Sequence, residues 1–168
     1  AWRDTALRVA TREREGMVAL ARGAEAKDTD TGDHIRRVQG ISERLALAAG
    51  LGTDEASAIG WAGKLHDVGK LHVPDRILLK PGPLTADELE IMRMHPLWGE
   101  QILADGDGFA MARRIARWHH ENFDGSGYPD ALVGGRIPFE ARIVRVADAF
   151  DAITHRRPYQ SARSFRAI

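Results

Sequence analysis

The sequence predicts an all-α bundle of six or seven helices, and three observations carry that reading. Apolar residues recur at three- and four-residue steps along most of the chain. These stretches open on N-cap residues and close on glycine or proline. No segment alternates apolar and polar residues in the way of a half-buried strand, and there is no internal repeat or low-complexity tract. At 168 residues the chain is one domain in size, long enough to bury about 70% of its extended surface without covalent staples.

Taken in order, residues 2–26 are rich in Arg, Glu and Ala, and Leu7, Ala10, Met17, Ala21 and Ala24 fall near helical spacing. The apolar face of this first helix is thin. It reads equally as an ordinary first helix of the bundle or as a signalling helix arriving from an upstream sensory or regulatory domain, so residues 1–27 are set apart from the domain at 28–168. The chain begins with Ala, which suggests a fragment of a longer protein. Asp28 to Asp33 is a polar break that can cap a second helix, with His34, Val38, Ile41 and Leu45 on its inward stripe and Ala49-Gly50 at its end. Thr53 is the expected N-cap of a third helix over 54–68, with Ile59, Ala62 and Leu65 inward. On it His66 and Lys70 would share one face at i and i+4, and Asp67 would be turned by roughly 100°. Gly60, Gly63 and Gly69 are poor helix formers and point to close backbone approach or to a site.

Val73 to Leu84, punctuated by Pro and Gly, is expected to be a loop. Thr85-Ala86-Asp87-Glu88 is a capping-box signature, and the helix it opens should end at His95, because Pro96 disfavours the α conformation before it. A helix from about Gly108 to Trp118 aligns Phe109, Ala112, Ile115 and His119, with His120 beside them. Glu121 to Pro129 is glycine-rich and must be a loop that holds Tyr128. Pro138 starts the last clear helix, in which Ile143, Val146, Ala147 and Phe150 are apolar and Asp148 and Asp151 are interspersed.

Lys plus Arg and Asp plus Glu are both 24, so no field of one sign marks the chain as a binder of nucleic-acid polymers or membrane surfaces. The absence of cysteine leaves His, Asp, Glu and water as metal ligands and fits a reducing, cytoplasmic setting. No apolar run approaches the ~20 residues of a membrane span, and no signal-peptide pattern opens the chain.

His34, His66, Asp67, His95, His119, His120 and Asp148 stand mostly at inner ends or inward faces of these helices. Five imidazoles and two carboxylates exceed the needs of one tetrahedral zinc and suit two or more six-coordinate metals with an oxygen bridge. Paired metals ~3.5–4 Å apart point to hydrolysis of phosphate esters, with Lys70 placed to hold a non-bridging oxygen.

His66-Asp67-Val68-Gly69-Lys70, then His119-His120-Glu121-Asn122-Phe123-Asp124-Gly125-Ser126-Gly127-Tyr128-Pro129, then Arg142-Ile143-Val144-Arg145-Val146-Ala147-Asp148 resemble, in order, the motifs of the HD-GYP family. The resemblance runs from Asp28 to Tyr159. Members are bacterial metal-dependent phosphodiesterases of the HD superfamily that hydrolyse the second messenger cyclic di-GMP. By this resemblance the fold is an HD-type bundle. Asp67 bridges two divalent metals, iron or manganese, and His34, His66, His95, His119, His120 and Asp148 complete their coordination. Lys70 and Arg157 hold substrate phosphates, Tyr128 packs on a guanine, and Asp28 joins the substrate contacts. Asp30 stands where some members carry a Glu that binds a third metal; being a methylene shorter, it implies two tight metals, a weak third at most, and linear dinucleotide rather than GMP as main product. The resemblance also implies an upstream domain, diguanylate cyclases and a second copy of the chain as candidate partners.

Two departures stand out: Gln160 replaces a residue that is basic in the family, and the chain stops at Ile168, where members continue into further helices. His72 and His155 match no ligand position and are expected to face solvent. Three readings follow: an active cyclic di-GMP phosphodiesterase, favoured by the complete ligand set; a non-catalytic module that binds the nucleotide or a partner; and a hydrolase of another cyclic dinucleotide.

Overall fold

A computed structural model describes residues 2–27, 33–104 and 107–154 of the chain. It contains eight α-helices: α1 (Trp2–Lys27), α2 (Asp33–Ala48), α3 (Thr53–Gly63), α4 (Asp75–Leu78), α5 (Ala86–Met92), α6 (His95–Ile102), α7 (Ala110–Trp118) and α8 (Phe139–Thr154). Short 3-10 turns occupy Val68–His72, Asp107–Phe109 and Gly134–Arg136. With the single turn α4 set aside, seven helices remain, as the periodicity predicts. There is no strand among the described residues, where pairing outside helices amounts to an isolated bridge between Asp124 and Val133. No helix among them is long and apolar enough to cross a membrane.

The main core lies where α2, α3, α7 and α8 meet. Val38, Ile59, Leu65, Ile115 and Val144 fill it, and Ala46, Ala56, Ala62, Ala112, Ala116 and Ala147 let the helix backbones approach closely. Ala21 and Ala24 seat the last turns of α1, which packs against the turn Val68–His72. Gly50, at φ 90°, closes α2: its N–H donates to the Leu47 carbonyl at 3.0 Å, and Leu51 N–H reaches Ala46 at 3.1 Å.

Four elements depart from the sequence expectation. The third helix stops at Gly63 instead of running to 68, and its N-cap is Gly52. From there the backbone tightens to i→i−3 bonds, including His66 N–H to Gly63 and Lys70 N–H to Asp67. With three residues per turn, Asp67 faces Lys70 at i,i+3, and the expected i,i+4 pairing of His66 with Lys70 is lost. Gly69 permits this path, since a Cβ there would overlap the His95 carbonyl oxygen and the Gly99 amide of α6. Of the three glycines expected to mark close backbone approach, Gly69 does so, whereas Gly60 lies against the Glu43 side chain and Gly63 against Val144.

The expected loop from Val73 to Leu84 contains α4, whose Ile77 and Leu78 join Val73 in a second small core beneath Leu84, Ile91, Met92 and Trp98. α5 opens with the predicted capping box, but it ends at Met92, and His95 is instead the first residue of α6 with Pro96 in its first turn. On α8, Val146 and Phe150 are each 54% exposed. The inward face consists of Ala141, Ile143, Val144, Ala147 and Asp151. α8 is apolar on more than one side, and packing chose the side that carries the carboxylates. α2 shows a milder shift: Ile35, Ser42 and Ala46 accompany His34 and Val38 inward, while Ile41 and Leu45 form the rim.

Candidate metal centre

Four separate elements aim five imidazoles at one point. His34 comes from the first turn of α2, His66 from the turn after α3, His95 from the start of α6, and His119 and His120 from the end of α7. His34, His66, His95 and His119 are all buried. Between them stands Asp67. One oxygen, Oδ1, lies 3.3 Å from His95 Nε2 and 3.6 Å from His119 Nε2, while Oδ2 lies 3.3 Å from His66 Nε2. Two groups of metal-ligating atoms result, Asp67 with His95, His119 and His120, and Asp67 with His34 and His66. Asp67 belongs to both. Asp148, on α8, brings Oδ1 to 3.5 Å from His34 Nε2 and 4.0 Å from His66 Nε2.

Proton placement decides what these contacts mean. His66 Nδ1 lies 2.8 Å from the Gly63 carbonyl, His95 Nδ1 2.8 Å from Met92, and His119 Nδ1 2.9 Å from Ala116. A carbonyl only accepts, so each Nδ1 donates and each neutral ring turns an Nε2 lone pair toward Asp67. His95 Nε2 and His119 Nε2 sit 3.4 Å apart. Lone pairs converge on lone pairs and carboxylate oxygens, and His34 Nε2, His66 Nε2 and Asp67 Oδ1 are buried with no hydrogen-bond partner. Such groups are costly to bury unless a cation stands among them. The donor set, imidazole and carboxylate with no thiolate, fits divalent transition ions.

The protonation equilibria agree. Burial pushes His119 down to about 4. Burial, with the neighbouring His119 and His95, takes His120 well below its usual range, so both rings are neutral near pH 7. At His66 burial acts downward too, but the Asp67 carboxylate and Asp148 outweigh it and raise the ring to about 9, a measure of how strongly the carboxylates around Nε2 favour positive charge there. Asp67 is held well below the carboxylate range, since Lys70 and His66 outweigh its burial. Lys70 Nζ lies 2.7 Å from Asp67 Oδ2, at the rim of the centre.

Tyr128 reaches the same place from its loop. Its ring stacks on His120 at 4.7 Å between centroids and 15° between planes, and the Arg93 guanidinium lies over it at 5.4 Å. The loop is held from beneath by buried Glu121, whose two carboxylate oxygens accept from Asp130 N–H at 2.7 Å and Leu132 N–H at 2.9 Å. Arg117 pairs with Asp130 and Glu100 outside it. Gly127 could carry no side chain without striking the backbone of Glu121 and Asn122.

All seven sequence-predicted ligand positions among the described residues thus converge, with Lys70 and Tyr128 beside them. Asp28, Asp30, Arg157, His155 and Gln160 lie outside the described residues. His72 is exposed against Trp98, as expected. The sequence reading missed three contributors. Asp151, 2% exposed, accepts from His34 Nδ1 at 2.7 Å and from Arg37 Nε and Nη2 at 2.6 and 3.0 Å. Arg93 and Glu121 are the others. Asp151 had a signal: a carboxylate three residues from Asp148, on the stripe of Val144 and Ala147.

Residues 19–167 match the model of the HD domain family. The chain is 46% identical over 156 residues to the cyclic di-GMP phosphodiesterase response regulator RpfG of Xanthomonas campestris pv. campestris, covering 92% of this chain and 41% of that protein. It is 46% identical over 149 residues to 3'3'-cGAMP-specific phosphodiesterase 2 of Vibrio cholerae, covering 88% and 28%. Against a cyclic di-GMP phosphodiesterase of Thermotoga maritima the identity is 44% over 151 residues, covering 86% and 41%. The chain spans less than half the length of each. Among solved structures, an HDG"Y"P protein of Bdellovibrio bacteriovorus, Bd1817, superposes with TM-score 0.63 at 24% identity over 77% of this chain and 42% of that one, a likeness of fold. With this family match over most of its length and its ordered His-Asp and Gly-Tyr-Pro motifs, the chain belongs to the HD domain family, in its HD-GYP branch.

Proposed function

We propose that this domain is a metal-dependent phosphodiesterase that hydrolyses cyclic di-GMP. The observation that carries the reading is the position of Asp67, whose two oxygens face two different histidine groups. In this reading Asp67 would serve two ions, iron or manganese. His95, His119 and His120 would hold one, and His34, His66 and Asp148 the other. Such ions would supply Lewis acidity for activating water near neutral pH and offsetting charge on the phosphoryl oxygens. The chain does the rest. Neutral Nε2 atoms keep the ligands in place, Lys70 binds a phosphate oxygen as a point charge at the rim, and Arg157 binds the second phosphate. Tyr128, stacked on His120 with the Arg93 guanidinium over its ring, packs on a guanine for which Arg93 gives way. Asp28 adds a contact, Asp30 at most a weak third ion, and the linear dinucleotide leaves as main product.

A second reading, hydrolysis of 3'3'-cGAMP, is favoured by the 46% identity to a phosphodiesterase named for that substrate. The setting is cytoplasmic, and residues 1–27 form a signalling helix from an upstream domain. That role is supported by the packing of α1 on the turn that carries Lys70. The test is elemental analysis of anaerobically purified protein, with incubation against both cyclic dinucleotides and separation of products. Two ions per chain and conversion of cyclic di-GMP to the linear dinucleotide are expected. A metal-loaded protein that cleaves neither substrate would refute the enzymatic reading and leave the binding-module alternative.

A further inference from the structure

His34 is the one imidazole of the centre clamped at both ring nitrogens by carboxylates of a single helix. Asp151 Oδ2 stands 2.7 Å from Nδ1, and Asp148 Oδ1, one turn earlier on α8, stands 3.5 Å from Nε2. A neutral imidazole carries one N–H, so it cannot donate to both. Arg37 decides which contact holds the proton. Its guanidinium closes a fork on both oxygens of Asp151, at 2.6 and 3.0 Å, which holds that carboxylate against His34 Nδ1. The Nδ1–H therefore belongs to Asp151. Nε2 is left a lone pair, buried and without a hydrogen-bond partner, facing Asp148 across a gap that a cation would fill. His66, His95 and His119 differ in kind, because their Nδ1 protons go to neutral main-chain carbonyls.

We propose that Asp151, anchored by Arg37, is a positioning residue for His34: it fixes the imidazole in the Nδ1–H tautomer and strengthens Nε2 as a donor to the ion shared with His66 and Asp148, leaving the ion of His95, His119 and His120 untouched. The inference rests on the two-ion reading of the centre. Its reach is one half of the site, because the histidine that Asp151 holds is His34, which stands with His66 and Asp148.

The experiment is stepwise titration of the metal-free protein with manganese and zinc salts, read as ions bound per chain and as two dissociation constants, for the wild type and for Asp151→Asn and Arg37→Gln. Asparagine keeps the size of the side chain but cannot serve both His34 and the Arg37 fork. In Asp151→Asn one ion should bind about 10–100-fold more weakly, the usual cost of losing an outer partner of a ligating histidine, and the other should be unchanged. Arg37→Gln, which leaves the carboxylate on His34, should weaken the same ion less. Wild type with two ions and Asp151→Asn with both intact, or both weakened together, would overturn the role of Asp151 while the metal centre stands. A wild type that binds no ion would overturn the centre itself. Should Asp151→Asn fail to fold, nitrogen-15 spectra of zinc-loaded wild type decide: a proton on His34 Nδ1 supports the assignment, and a proton on Nε2 overturns it.

Discussion

Asp67 carries the largest consequence of any single side chain here. Asp67→Ala leaves two sets of Nε2 lone pairs with no shared anion, so both ions should be lost or weakened by more than the ~10–100-fold that an outer partner costs. Elemental analysis and the phosphodiesterase assay check this together, and an active, metal-loaded variant would sink the bridging role. Tyr128 should separate cleanly from it. It touches His120 by ring stacking and binds no ion, so Tyr128→Ala should keep the metal content and lower cyclic dinucleotide affinity by about 1–3 kcal/mol. Calorimetric titration is the measurement, and an unchanged dissociation constant would assign the loop to another task. The five histidines that converge with Asp67 and Asp148 were legible in the sequence because imidazoles are scarce and chemically committed. Asp151 was not, since an Asp on an apolar stripe has no chemistry until its partner, 117 residues earlier, is known.

At the level of elements, the turn between α3 and α4 is the part most exposed to perturbation. Gly69 lies against the His95 carbonyl and the Gly99 amide, both backbone, so an added methyl has nothing flexible to displace. Gly69→Ala should cost on the order of 1–3 kcal/mol, read by urea unfolding, and should also weaken metal binding, because α6 carries His95 at its first residue. Thr85→Ala is the matched control. It removes a cap in which Thr85 Oγ1 accepts from Glu88 N–H at 3.3 Å and Glu88 answers at 2.8 Å, a loss of about 1 kcal/mol. α5 contributes no ligand, so metal content should not change. Equal metal loss in both variants would mean that general stability, not the geometry of the turn, controls loading.

For the molecule as a whole, the centre links folding to metal and to pH. In the metal-free chain Asp67 and Asp148 raise His66 to about 9, above the ~6.5 of an unfolded histidine. The sign follows from the raised value. The favourable interaction is fully present below about pH 6.5 and is lost as pH rises through about 9. A bound ion takes the place of that proton, so the loaded protein should keep its melting temperature between pH 7 and 9 while the metal-free protein loses stability. Thermal melts with and without manganese across that range test the linkage, and parallel curves would show that His66 does not exchange its proton for metal.

The sequence by itself determined the helical class, the capping box at Thr85, the buried face of α7, and which residue types had to meet. Those are properties of spacing and of side-chain chemistry, which are local. The tertiary structure decided what spacing cannot carry. α3 yields to a 3-10 turn because α6 needs room at Gly69, so Lys70 faces Asp67 rather than stacking over His66. α8 turns its carboxylates inward and leaves Val146 and Phe150 outside, because His34 and Arg37 of α2 and His66 of the turn after α3 offer those carboxylates partners that an apolar face would deny them. Periodicity ranks faces by hydropathy. A metal centre ranks them by charge and lone pairs, and only the assembled fold brings those together.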